Sequence, residues 1–149
     1  MKSLEEINKI REAKRKELDL RINLNANTIE KHILVCHGTG CTSSKSEDII
    51  KNLRKIIEEK NVPNTRVIQT GCFGLCAKGP IVIIRPENVF YSNVTPNDVE
   101  EIVDTHLIEG KLIDRLLCKD INGKLVERLD ELSFYKKQMR IALKNCRSY

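Results

Sequence analysis

The 149-residue sequence contains no tryptophan, and its aromatic content is 4%. Single-stranded nucleic acid is bound on aromatic stacking platforms beside basic grooves, so this scarcity argues against nucleic acid as a partner. No apolar run approaches the roughly 18 residues of a membrane span, and membrane insertion is not expected. The stretch from Met1 to Arg21 alternates charged and apolar residues and lacks the apolar core of a signal peptide, so a cytoplasmic location is expected. The spacing Cys-x-x-Cys is absent, which argues against a thioredoxin-type dithiol.

Six cysteines are present. In a cytoplasmic chain they favour metal ligation or redox chemistry over structural disulfides. The net charge of +5 sits in the flanks. Basic residues outnumber acidic ones seven to five over Met1–Arg21 and ten to five over Lys111–Tyr149, whereas His32–Gly110 holds eight basic and ten acidic residues.

Three regions follow. Residues 1–30 are an N-terminal amphipathic helix and a linker. Leu4, Ile7, Ile10 and Ala13 recur at helical spacing. The helix is expected to cover the next domain, or else to dock on a partner subunit. Residues 31–110 read as a compact α/β domain. His32 to Val35 is a buried strand ending at Cys36. Ser46 is expected to cap a helix with Ile49, Ile50, Leu53, Ile56 and Ile57 on one face, which stops near Asn61. Arg66–Thr70 is a second strand, and Ile81 to Ile84 is a central strand buried on both faces. Val89–Ser92 follows across a short turn, hence antiparallel. Thr95-Pro96-Asn97-Asp98 opens a last helix with Val99, Ile102, Val103 and Leu107 facing the sheet. A mixed sheet is expected, with the first two strands parallel across a crossover helix. Residues 111–149 hold too few apolar residues for a core of their own and read as a basic linker.

The cysteine spacing carries the functional reading. Cys36 and Cys41 are separated by four residues, Cys72 and Cys76 by three, and each pair lies in a Gly-rich loop directly after a strand. Adjacent parallel strands would bring both loops to one edge of the sheet. Four converging thiolates suit a [2Fe–2S] cluster. A four-thiolate zinc site, or four unrelated buried thiols, are the other readings. Such an anionic centre needs hydrogen-bond donors and no nearby carboxylates. Gly38, Gly40, Gly71, Gly74 and Gly79 free backbone N–H groups, and Thr39, Thr42, Ser43 and Ser44 offer hydroxyls. No Asp or Glu occurs over Cys36–Ser46 or Arg66–Pro86, and Lys45 and Lys78 are the nearest charges in sequence. His37 is a candidate donor to the site or a loop histidine. Cys118 reads as a core or inert surface thiol, and His32 and His106 as structural.

Cys36 and Cys41, followed by Gly71-Cys72-Phe73-Gly74-Leu75-Cys76-Ala77-Lys78-Gly79-Pro80, resemble the thioredoxin-like [2Fe–2S] ferredoxins over roughly Lys31–Gly110. The resemblance implies a thioredoxin-like fold, Cys36, Cys41, Cys72 and Cys76 as the four cluster ligands, and one-electron transfer. Phe134-Tyr135-Lys136-Lys137-Gln138-Met139-Arg140-Ile141 to Asn145-Cys146 is similar to the segment that opens the flavin module of NADH-oxidising subunits in complex I-like NADH dehydrogenases and NAD-linked iron hydrogenases. That likeness breaks off at Arg147-Ser148-Tyr149, so the sequence is expected to be a piece that stops before the flavin module. It implies partners in a redox complex: a flavin/NADH module, an iron hydrogenase or quinone-linked subunits, with a homodimer as a further option. The alternative is a docking or assembly module stabilised by a cluster or a zinc, without redox turnover.

Overall fold

A computed structural model describes residues 3–22 and 30–139. The Asn-rich break after Arg21, Cys146 and most of the tail that resembles a flavin module lie outside the described residues.

Helix α1 spans Leu4–Ile22. Ser3 starts it: its hydroxyl accepts the Glu6 N–H at 3.2 Å, and the Glu6 carboxylate accepts the Ser3 N–H at 2.8 Å. Leu4, Ile7 and Ile10 are all exposed, so the apolar stripe does not pack on the domain as first expected.

Strands β1 (Lys31–Cys36), β2 (Thr65–Thr70), β3 (Val82–Arg85) and β4 (Val89–Tyr91) form one mixed sheet in the order β2-β1-β3-β4. β1 and β2 are parallel, with Cys36 opposite Thr70. β3 runs antiparallel to both β1 and β4. Between β1 and β2 the chain makes a short helix α2 (Thr39–Ser43) and the crossover helix α3 (Ser46–Glu59). After β4, Thr95 and Asp98 form the expected capping box, and α4 (Val99–Glu101) continues as a π-helical segment over Ile102–Ile108. The one correction in α3 is its start. Lys45, in the left-handed region at φ 65°, occupies the cap position, and Ser46 is the first helical residue and makes no cap bond.

Strand alternation sorts the core into two layers. Ile33 and Val35 of β1 and Val82 and Ile84 of β3 face one side, where Ile49, Ile50 and Leu53 of α3 and Val99, Ile102 and Val103 cover them. Leu34, Cys36, Ile83 and Phe90 face the other side, which those helices leave bare. The segment after Gly110 closes it. β5 (Cys118–Lys119) and β6 (Leu125–Val126) form a hairpin around the turn at Asp120–Gly123, and α5 (Ser133–Lys136) follows. Cys118, Val126 and Leu132 are buried in this second layer. The same segment also covers the β4 edge. Phe90 N–H donates to the Glu127 carbonyl at 2.7 Å, and Ser92 N–H to the Leu116 carbonyl at 2.8 Å. Residues 111–139, expected as a linker, are thus packed against the domain. Their few apolar residues make no core of their own but complete the one that the sheet begins.

Tyr91 and His106 tie the helical layer to the start of this segment. Tyr91 Oη and His106 Nδ1 lie 2.6 Å apart, the rings meet edge to face, and Ile113 N–H donates to Tyr91 Oη at 3.3 Å. Burial pushes the Tyr91 hydroxyl up to about 12 and holds His106 below the ordinary imidazole range. The unfolded chain therefore takes up the His106 proton at a higher pH than the native chain does. Stability on this account is full above the unfolded value of about 6.5 and falls as pH drops below it, until the native imidazole also titrates.

Two outcomes check this packing. Urea unfolding of Leu132→Ala should show a loss of about 2–4 kcal/mol, as for a buried leucine; a loss under about 0.5 kcal/mol would mean that the C-terminal segment is not part of the core. His106→Gln should flatten the fall in stability between about pH 6.5 and pH 5, and curves parallel to wild type would remove the linkage.

Candidate metal centre

The parallel pairing of β1 and β2 sends both following loops out at the same edge of the sheet. Cys36 ends β1, and its N–H donates to the Ile81 carbonyl at 2.9 Å. Cys41 sits on α2. Both are buried, at 1% and 3% exposure. Cys72 and Cys76 lie in the loop after β2 and are exposed. Cys36 Sγ and Cys41 Sγ are 3.2 Å apart, and Cys72 Sγ and Cys76 Sγ are 3.9 Å apart.

The two pairs interlock through two glycines. A Cβ on Gly38 would lie 3.1 Å from Cys72 Cβ, and a Cβ on Gly79 would lie 2.8 Å from Cys41 Sγ. Each loop therefore runs against a cysteine of the other pair; a side chain at Gly79 would force a shift, and one at Gly38 would press Cys72 by a few tenths of an ångström. The two cysteine-bearing loops thus lie against each other, with each pair of sulfurs close within itself. Cys118 lies in the core beneath, with its thiol directed at the Lys119 carbonyl at 3.5 Å.

The electrostatics agree with the geometry. The Cys41 thiol is pushed up to about 12, first by burial, then by its hydrogen bond to Cys36 and by the charges of Cys36, Cys72 and Cys76. Cys76 is also raised, chiefly by Cys72. Cys41 and Cys76 thus resist ionisation beside their neighbours, and a bound metal would relieve that cost by replacing their protons.

The donor set fits a [2Fe–2S] group. Two thiolates on one tetrahedral metal, with bonds of about 2.3 Å, stand about 3.8 Å apart. The Cys72–Cys76 pair has that spacing, and the Cys36–Cys41 pair is closer. Among the described residues, no three His, Cys, Asp or Glu side chains surround a single point as ligands of one ion; the sulfurs stand two and two.

The surrounding donors differ in part from expectation. Gly74, at φ 83°, turns its N–H to Cys72 Sγ at 3.3 Å. Two expected hydroxyl donors are engaged inside α2 instead: Thr42 Oγ1 donates to the Gly38 carbonyl and Ser43 Oγ to the Thr39 carbonyl, both at 3.1 Å. His37 Nδ1 lies 3.1 Å from Oγ of the buried Ser46. Tyr135 was missed as part of this site. Its hydroxyl donates to the Phe73 carbonyl, inside the Cys72–Cys76 loop. Nothing local to Tyr135 in sequence signals that contact, which spans 62 positions.

Known proteins resemble this chain in sequence and fold. A family model described as thioredoxin-like [2Fe–2S] ferredoxin matches residues 23–107. A 2Fe–2S ferredoxin of Clostridium pasteurianum is 37% identical over 94 residues, covering 57% of this chain and 92% of that protein. A subunit of the NADH-quinone oxidoreductase of Rickettsia bellii is 31% identical over 80 residues, covering 50% of this chain and 47% of that protein. The solved structure of a thioredoxin-like [2Fe–2S] ferredoxin from Aquifex aeolicus superposes with a TM-score of 0.54 at 31% identity, over 60% of this chain and 90% of that one.

The glycine contacts give a test of the site. Gly79→Ala should sharply reduce bound iron per chain, because its methyl group would collide with Cys41 Sγ. Gly40→Ala, with nothing within 4 Å of the added atom, should load as wild type does. Equal iron in both variants would mean that the Gly79 approach does not shape the site.

Proposed function

We propose a function from one premise: the chain belongs to the thioredoxin-like [2Fe–2S] ferredoxins, an electron-carrier family whose model matches more than half of it. The cofactor of the family, and of this chain, is a [2Fe–2S] cluster. We assign its ligands to Cys36, Cys41, Cys72 and Cys76. The observation that carries this assignment is the interlocking of the two sulfur pairs through Gly38 and Gly79.

When bound, the cluster supplies a centre that gains or loses one electron without proton or group transfer. The chain's own residues set the terms. Buried Cys36 and Cys41 hold one side in a low-dielectric core, and exposed Cys72 and Cys76 face outward. Reduction adds negative charge at the sulfurs. The loops answer that charge with the Gly74 N–H and with no carboxylate between Cys36 and Ser46 or between Arg66 and Pro86. Those features raise the reduction potential relative to an acidic site.

The finer reading is a domain of an NADH-dependent oxidoreductase or hydrogenase complex, which passes electrons between a flavin module and other redox subunits. The likeness to a subunit of an NADH-quinone oxidoreductase supports it, as does the resemblance of the segment from Phe134 to a flavin-module opening. The exposed stripe of Leu4, Ile7 and Ile10 on α1 supports a partner subunit on that face. Among the described residues no helix is long and apolar enough to cross a membrane.

Anaerobic purification tests the reading. About two irons and two acid-labile sulfides per chain are expected, with an EPR signal that appears on one-electron reduction. Ser in place of Cys36, Cys41, Cys72 or Cys76 should destroy or alter the visible spectrum, while Cys118→Ser keeps it. A normal spectrum in Cys72→Ser with cluster loss in Cys118→Ser would reverse the assignment. Bound zinc without sulfide, or a centre that no reductant reaches, would replace electron transfer with a structural role.

A further inference from the structure

The contact between Tyr135 and Phe73 reaches sulfur through a single peptide group. Tyr135 Oη donates to the carbonyl of Phe73. The other end of that peptide is the Gly74 N–H, which donates to Cys72 Sγ at 3.3 Å. A peptide group is planar and rigid, so holding its oxygen orients its N–H. A hydrogen bond to the oxygen also polarises the amide and strengthens it as a donor. The plane needs such support, because the left-handed Gly74 that follows it has no side chain to pack it in place.

Tyr135 is well placed to give it. The amides of Tyr135 and Lys136 both donate to the carbonyl of buried Leu132, at 2.9 and 3.0 Å. The Tyr135 ring packs with Phe73 and Leu75 against the core layer that contains Cys36 and Cys41, and meets Phe134 edge to face at 5.4 Å. All of α5 lies beyond the residues matched by the family model, so this device belongs to the added C-terminal segment.

We propose that Tyr135 is a positioning residue for the metal centre: it aims the Gly74 N–H at Cys72 Sγ and thereby favours the reduced state. The inference rests on Cys72 being a cluster ligand. An N–H···S bond strengthens as the sulfur becomes more negative, so the bond stabilises the reduced form more than the oxidised form and raises the potential.

Tyr135→Phe in the cluster-loaded full chain keeps the ring and removes the donor. Expected are an unchanged visible spectrum, a lower midpoint potential in a redox titration, and about two- to tenfold faster hydrogen–deuterium exchange at the Gly74 amide. Site-specific 3-fluorotyrosine at position 135, a stronger hydroxyl donor, should move the potential upward, which answers the question even if the Phe variant loads poorly. A purely packing role would move neither quantity in Tyr135→Phe. An unchanged potential together with unchanged Gly74 exchange, or a fluorotyrosine shift that is absent or downward, overturns the proposal. Failure of the ligand assignment shows elsewhere, as a normal cluster in Cys72→Ser.

Discussion

The parallel pairing of β1 with β2 is the constraint on which the rest depends. It sets Cys36 opposite Thr70, so the second pair of cysteines begins two residues past the point where the first strand ends. Had the strands been antiparallel, the loops would leave from opposite edges, and no arrangement of glycines could join them. Parallel pairing in turn needs a crossover, and α3 supplies it, with Ile49, Ile50 and Leu53 buried on the sheet. The helix also accounts for the asymmetry of the domain. By covering one face of the sheet, α3 and α4 leave the Cys36 face to be closed by something else.

That something is the segment from Lys111 to about Lys136, and its role was the least legible part of the sequence. The core strands announce themselves as apolar runs at His32–Cys36 and Ile81–Ile84, and α3 by a clear one-sided pattern; the structure has each where the pattern puts it. β5 and β6 are two residues each, too short for alternation to register. Their apolar residues are sparse because only one side of the segment is buried. A count of apolar residues asks whether a stretch can form a core alone, and here the relevant surface belongs to Leu34, Ile83 and Phe90.

The site itself divides along the same line. Its four cysteines were legible because spacing and strand ends are one-dimensional properties. Their immediate donors were not, because competing partners decide them. Thr42 and Ser43 lie on a helix, where a carbonyl four residues back is always within reach of a hydroxyl, and that local bond wins. Ser46 Oγ pairs with His37 Nδ1 and makes no cap bond. A backbone N–H escapes that competition at Gly74, whose left-handed conformation accompanies its bond to Cys72 Sγ.

The difference in burial between the two sulfur pairs gives the centre a direction. Cys36 and Cys41 are sealed beneath the sheet edge, while Cys72 and Cys76 lie on an exposed loop. On the function proposed above, an electron partner gains its shortest approach at that loop. Exposure alone would leave the loop soft and the sulfur environment variable, with water competing for the Gly74 amide. On the proposals above, anchoring the loop from below, through Phe73 and the turn that runs from buried Leu132 to Tyr135, keeps Cys72 and Cys76 accessible while fixing the hydrogen bond of Gly74 to Cys72. The C-terminal segment thus closes the core on one side and steadies the reactive edge on the other, and both effects follow from the same few residues being held against the Cys36 face of the sheet.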